Sequence, residues 1–189
     1  KQMQALDLIP GWAAEFRKAF GRDSGGLMHE YRMEDADTVV VALGSVLGTI
    51  KDTVDALRDA GHRIGVLGIT SFRPFPLAAV REALVHAERV IVLEKSFAVG
   101  LGGILANDVR MAMTGTRRHG YTVVAGLGGR AITQASLAKV FEQAMRDEIE
   151  PLTFLDLNQA AIDRELAREQ AQRRSGPSAE NILRDLGVR

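Results

Sequence analysis

Residues 63–70 read RIGVLGIT, residues 72–76 read FRPFP and residues 89–95 read RVIVLEK. An apolar run that ends in a proline-punctuated turn, opens a helix and leads to another apolar run is the pattern of a βαβ unit. The same alternation continues on both sides. Upstream, residues 38–43 (TVVVAL) form an unbroken β-branched run, as expected of a strand covered on both faces. Residues 49–60 then place Ile50, Val54 and Leu57 on one helical face and Lys51, Asp52, Asp55 and Arg58 opposite, with Gly61 as the residue that ends the helix. After FRPFP, residues 77–87 are predicted helical with Val80 and Leu84 inward, and residues 90–93 form the next strand. Residues 94–103 make a loop of small residues, 104–113 a helix, 121–125 (YTVVA) a strand, and 135–146 a helix opened by Thr133 as N-cap. The expected fold is a three-layer α/β/α domain whose sheet is mainly parallel and has four to five strands.

The flanks are less regular. Leu6, Ile9, Ala13, Phe16 and Phe20 recur at helical spacing, but Pro10 and Gly11 interrupt them. The expectation is a short lead-in and a helix over 11–20, with Trp12, Phe16 and Phe20 as a packing stripe rather than a ligand box. Residues 21–26 are turn chemistry, and residues 29–33 read as a short strand or an extended connector. Residues 153–157 read as an edge strand or a connector. A polar helix follows over 159–174, a break at 175–178 and a last short helix over 178–186. The organisation expected is an N-terminal helix and connector (1–32), the α/β domain (33–150) and a C-terminal helical extension (151–189) that packs on another subunit or on the N-terminal helix.

Composition narrows the function classes. The chain has 189 residues, enough for one domain with appendages and for burying roughly 70 % of the unfolded surface. Its 24 basic and 24 acidic residues cancel, so no electrostatic case exists for nucleic acid or an anionic membrane. It has no cysteine, which removes disulfides, iron–sulfur ligation and thiolate zinc from this stretch and fits a reducing, cytoplasmic setting. No apolar run reaches the ~20 residues that span a bilayer, and residues 1–22 lack the apolar region of a signal peptide. The chain opens on Lys1, the expectation being a fragment or processed piece.

Few residues carry a chemical signal. The glycine clusters 100–103 (GLGG) and 126–129 (GLGG) each follow a strand and precede a helix, where backbone amides can hold an anion; Gly102, Gly103, Gly128 and Gly129 are the candidates. Neither cluster matches a dinucleotide or P-loop fingerprint, and tight turns with close packing explain them as well. Glu94 and Lys95 form a polar pair at a strand end, read either as part of a cleft or as an ion pair on a solvated rim. Arg73 and Arg130 are candidate anchors for a carboxylate, because a guanidinium grips one through two hydrogen bonds. Since these loops all follow strands of one parallel sheet, they should gather on one edge, where a neighbouring domain or subunit would meet them. The histidines 29, 62, 86 and 119 form no ligand motif, no GxSxG elbow appears, and Arg117–Arg118 indicates nothing specific. Neither a catalytic residue nor a metal site is expected.

With these elements placed, MEDADTVVVALGSVLGT (33–49), GHRIGVLGITSFRPFP (61–76), VIVLEKSFAVGLGGIL (90–105) and AGLGGRAIT (125–133) together resemble core domain II of the pyruvate:ferredoxin oxidoreductase family. This is the transketolase C-terminal-like domain in the alpha chain of 2-oxoacid:acceptor oxidoreductases. The resemblance runs from about residue 6 to 145. Ala131 departs from the acidic residue common in the family's glycine turn, and the tail after Pro151 is longer than expected. The resemblance implies a multi-subunit enzyme that oxidatively decarboxylates pyruvate or a related 2-oxoacid to an acyl-CoA. Thiamine diphosphate, Mg and iron–sulfur clusters would lie in its other domains or subunits, and ferredoxin and coenzyme A would be co-substrates. The present domain would be architectural, inactive on its own and without a cofactor of its own. The alternatives are a stand-alone ligand-binding or regulatory module and a component of a lipoamide-linked 2-oxoacid dehydrogenase.

Overall fold

The computed structural model describes residues 1–171 and 186–187. Its sheet has six strands: β1 (Met28–Tyr31), β2 (Thr38–Leu43), β3 (Ile64–Ile69), β4 (Arg89–Glu94), β5 (His119–Val124) and β6 (Leu152–Phe154). Their order is β1-β3-β2-β4-β5-β6, with β1 antiparallel to β3 and every other pairing parallel. The mainly parallel three-layer architecture is as expected. The two segments open to reading as strand or connector, near residues 29–33 and 153–157, are both paired edge strands, which brings the count to six.

The sheet is covered on both faces. Helices α2 (Val46–Asp59) and α5 (Gln134–Met145) lie on one side, where Ile50, Val54, Leu137 and Phe141 pack on Val40, Ile64, Ile91 and Val123. Helices α3 (Leu77–Ala83) and α4 (Ile104–Ala112) lie on the other, where Val80, Leu84, Leu105 and Val109 pack on Val39, Val41, Leu67 and Val90. Alternate residues of each central strand thus serve opposite cores, which is why these strands read as continuous apolar runs. Helix α2 starts earlier than its apolar stripe suggests, and it ends as predicted. Gly61 has φ 93° and donates to the Arg58 carbonyl, and His62 N donates to Leu57, a Schellman closure. Thr133 caps α5 by accepting from Ser136 N.

Helix α1 corrects an expectation: it is one helix, Gln2–Phe20, running through Pro10. A proline removes one amide donor and crowds the preceding turn, and here that turn lies on the surface, with no α1 residue buried. The expected packing stripe is therefore not packed within the described residues. Trp12 and Phe20 are each 67 % exposed, and Phe16 meets Phe20 with ring centroids 4.8 Å apart.

At the amino ends of the strands, Asp147 ties β4 and β5 to the end of α5. It accepts from Arg89 Nε at 3.0 Å, Arg89 Nη2 at 2.8 Å and Tyr121 Oη at 2.7 Å. The Arg89 guanidinium, then the tyrosine hydroxyl, hold its carboxyl well below the usual carboxylate range. Burial, then the bond to Asp147, pushes the Tyr121 hydroxyl up to about 12.

The chain divides into two compact units, Lys1–Leu155 and Asp156–Arg189. The second contains α6 (Gln159–Ala171), capped by Asn158, whose Oδ1 accepts from Ala161 N at 3.0 Å. The rest of the polar helix expected to 174, the break at 175–178 and the last helix over 178–186 fall outside the described residues, except that Leu186 stands in a turn. No helix among the described residues is long and apolar enough to cross a membrane.

Candidate functional site

Strand β2 leads away to β3 on one side of the sheet, whereas β4 leads to β5 on the other. The carboxyl ends of β2 and β4 therefore flank a switch in topology, the place where open α/β sheets form a crevice. A cleft of about 370 Å³ occupies it. Leu43, Gly44 and Ser45 after β2 form one wall, and Glu94, Lys95 and Ser96 of β4 and its loop form another. Phe72 after β3, with Ile104 and Leu105 at the start of α4, completes it. Of the residues expected to gather on this edge, Glu94 and Lys95 line the cleft, whereas Arg73 and the turn at 128–130 are not part of its lining.

Glu94 lines the cleft, one of the two readings of it in the sequence, and has in addition a definite role that neither reading contains. It is 6 % exposed. Its carboxylate accepts from Leu105 N at 2.9 Å, Ala106 N at 3.1 Å and Ser96 Oγ at 3.0 Å. The amides are two of those a helix leaves unpaired at its start, so Glu94 caps α4 from the neighbouring strand, where the helix dipole favours negative charge. It forms no ion pair with Lys95 and is not at a solvated rim. Gly103 makes this possible. A Cβ there would stand 1.5 Å from Glu94 Oε1, although φ −80° and ψ 151° suit any residue.

Arg73 is engaged inside the domain. Its Nη1 donates to Asp108 of α4 at 2.8 Å and to the Phe72 carbonyl at 2.7 Å, and its guanidinium lies 4.0 Å from the Phe72 ring centroid. Lys95 is exposed, with no ion pair among the described residues, and its Cε lies against Gly126. Gly102, Gly128 and Gly129 have positive φ and open space where a Cβ would stand, so they serve tight turns rather than close approach. Gly128, Gly129 and Arg130 form the exposed turn after β5, outside the residues that line the cleft.

The sequence reading missed three features: the capping of α4 by Glu94, the steric role of Gly103 and the Arg73–Asp108 pair. An acidic residue ending a strand, with two glycines immediately before the next helix, is the signal that points to the first two. The third has none, because Asp108 reads as an ordinary exposed helix residue. Among the described residues the site offers an apolar crevice, a lysine without an ion pair and one hydroxyl–carboxylate contact, Ser96 to Glu94, whose carboxylate is already taken up by two backbone amides. Among the described residues no cluster of His, Asp or Glu could hold a metal ion.

The profile of "Pyruvate:ferredoxin oxidoreductase core domain II" matches residues 36–137. Pyruvate synthase subunit PorA of Methanosarcina barkeri is 39 % identical over 84 % of this chain and 41 % of its own length. The ketoisovalerate oxidoreductase subunit VorA of Pyrococcus horikoshii is 34 % identical over 74 % of this chain and 36 % of its own. The chain thus spans about two fifths of the length of the curated relatives it matches. The solved structure of 2-oxoglutarate:ferredoxin oxidoreductase from Magnetococcus marinus shares the fold, with a TM-score of 0.51 at 22 % identity over 72 % of this chain and 21 % of that one. By the match of more than half its residues to the family profile, this chain belongs to the pyruvate:ferredoxin oxidoreductase core domain II family.

Proposed function

We propose that this domain is the architectural core of one subunit in a thiamine diphosphate-dependent 2-oxoacid:ferredoxin oxidoreductase. Such an enzyme oxidises pyruvate or a related 2-oxoacid to an acyl-CoA in the cytoplasm. The observation that carries the reading is the profile match over residues 36–137, together with relatives that are subunits of pyruvate synthase and ketoisovalerate oxidoreductase. These relatives act on different 2-oxoacids, which supports placing substrate choice outside this domain. Thiamine diphosphate, Mg and the iron–sulfur clusters belong to the rest of the enzyme. The donor set here does not fit a cluster, since the chain has no cysteine. The strand-end edge with Lys95, Gly102, Gly103, Gly128, Gly129, Arg130 and the outer face of Arg73 is the surface that meets neighbouring domains or subunits. Glu94 acts behind it by fixing the start of α4. Family membership favours this reading over a stand-alone regulatory module or a lipoamide-linked component.

The test is anaerobic purification of the whole native complex containing this chain, followed by 2-oxoacid- and coenzyme A-dependent reduction of ferredoxin. Turnover with pyruvate, 2-oxoisovalerate or 2-oxoglutarate is expected. Absence of turnover with all three, in a complex with intact cofactors, overturns the reading.

A further inference from the structure

The loop between β4 and α4 carries apolar side chains outward. Val99 is 92 % exposed, Leu101 70 % and Ile104 47 %, whereas Phe97 packs its ring edge-on against Phe154 of β6 at 5.1 Å. Residues 98–102 form a closed turn that presents Val99 and Leu101 as a knob, since Ala98 N donates to Gly102 O at 2.7 Å and Gly102 N returns to Ala98 O at 2.8 Å. Ile104, two residues after the turn closes, is itself half-exposed and lines the crevice between β2 and β4, so the chain leads from the knob directly into the crevice wall. Contiguous exposed apolar surface of this kind marks a contact site.

Two observations decide what covers it. Small-molecule sites combine an apolar pocket with several convergent polar groups. Here Glu94 is committed to the amides of α4 and to Ser96, which leaves Ser45 and Lys95 as the crevice's polar side chains without a partner among the described residues, and Val99 and Leu101 stand outside the crevice. The occupant is therefore a protein surface. Lys95, at the crevice and without an ion pair among the described residues, sets its charge. A lysine left at the rim of an apolar contact is complemented by a carboxylate on the partner.

We propose that the β4–α4 knob and the crevice beside it dock an apolar segment flanked by Asp or Glu, supplied by a partner subunit of the same oxidoreductase. This rests on the function proposed above. A partner subunit is the occupant because the relatives are themselves named as subunits of oxidoreductases. The large apolar side chain enters between Phe72, Leu43 and Ile104, its neighbouring carboxylate meets Lys95, and Val99 and Leu101 seat on the partner's surface.

The experiment uses the whole complex. A photo-crosslinking p-benzoylphenylalanine is placed at position 99 of the full-length subunit, and the cross-linked peptides are sequenced by mass spectrometry. Leu101→Asp and Lys95→Glu are assayed in parallel for assembly. Because positions 95, 99 and 101 are exposed, the thermal unfolding of these variants should match the parent. The expected result is a cross-link to an acid-flanked apolar segment of a partner subunit, with association at least tenfold weaker for each of the two variants. A cross-link within the same subunit or to position 99 of a second copy, or no cross-link with unchanged assembly, overturns the proposal. Full 2-oxoacid-dependent ferredoxin reduction with no cross-link removes this docking surface and leaves the proposed function standing. The expected cross-link in a complex that reduces no ferredoxin removes the function and leaves the surface.

Discussion

Replacing Gly103 by alanine should destabilise this chain, against the usual direction of such a change. At φ −80° and ψ 151° alanine fits the backbone, and Gly→Ala at a compatible position ordinarily stabilises by about 0.4–1 kcal/mol through the unfolded chain. Here the new methyl group would stand 1.5 Å from Glu94 Oε1 and 2.2 Å from its carboxyl carbon, so the carboxylate must leave. Leaving costs the bonds from Leu105 N and Ala106 N, each a hydrogen bond to a charged group worth about 1.5–3 kcal/mol in a buried setting. A net loss of about 3 kcal/mol follows, or roughly 6–12 °C in Tm for a chain of this size. Equilibrium urea unfolding followed by far-ultraviolet circular dichroism measures it. A double-mutant cycle with Glu94→Ala isolates the cause. Once Glu94 is truncated nothing blocks the methyl group, so Gly103→Ala should be neutral or stabilising in that background, with a coupling of about 3 kcal/mol. Additivity within about 0.5 kcal/mol would refute the reasoning, because contact between the two residues demands coupling.

Two further outcomes follow from the same geometry. A Cβ at Gly68 would stand 2.4 Å from His29 Cε1, so Gly68→Ala should displace the His29 ring from its place over β3 and raise hydrogen exchange at residues 28–31, with His29→Ala restoring protection; unchanged exchange in Gly68→Ala would show that the ring moves without loosening β1. Asp147→Asn should lower stability at neutral pH. The folded carboxyl is depressed, so its contribution is present above the unfolded value of about 3.9 and is lost as pH falls from there towards the folded value. The gap between parent and variant in urea should therefore narrow below about pH 4, and a constant gap down to pH 2 would show that Asp147 is not the titrating group.

The central fold was legible because burial on both faces leaves a direct trace. Strands β2, β3 and β4 are nearly unbroken apolar runs, and the helices between them carry one apolar stripe each. Strands β1 and β6 left a weaker trace. Each is an edge strand of three or four residues with exposed positions, so pairing rather than burial defines it, and pairing partners are not written in local sequence. Pro10 misled because a proline in a surface helix costs stability without always ending the helix. At the crevice, the residue types were readable and the bonds were not. Glu94 binds two backbone amides, and amides have no identity in a sequence; only the glycine at 103, kept small beside a strand-end carboxylate, hinted at the arrangement.

The order of the strands also sets an order of assembly in time. Pairing β2 with β3 brings Thr38 beside Ile64, whereas pairing β2 with β4 brings Thr38 beside Arg89 across about twice the length of chain. The entropy of closing a loop grows with its length, and closing the shorter one first reduces what remains for the longer. The β2–α2–β3 unit is thus the natural nucleus. Once β2 is paired on that side, its free edge is the template on which β4 lands, and β5 and β6 add outward in sequence. The crevice at the switch between β2 and β4 comes into existence only with the second of these pairings. A chain that has made only the first pairing therefore lacks the crevice, whose two walls come from both sides of that switch.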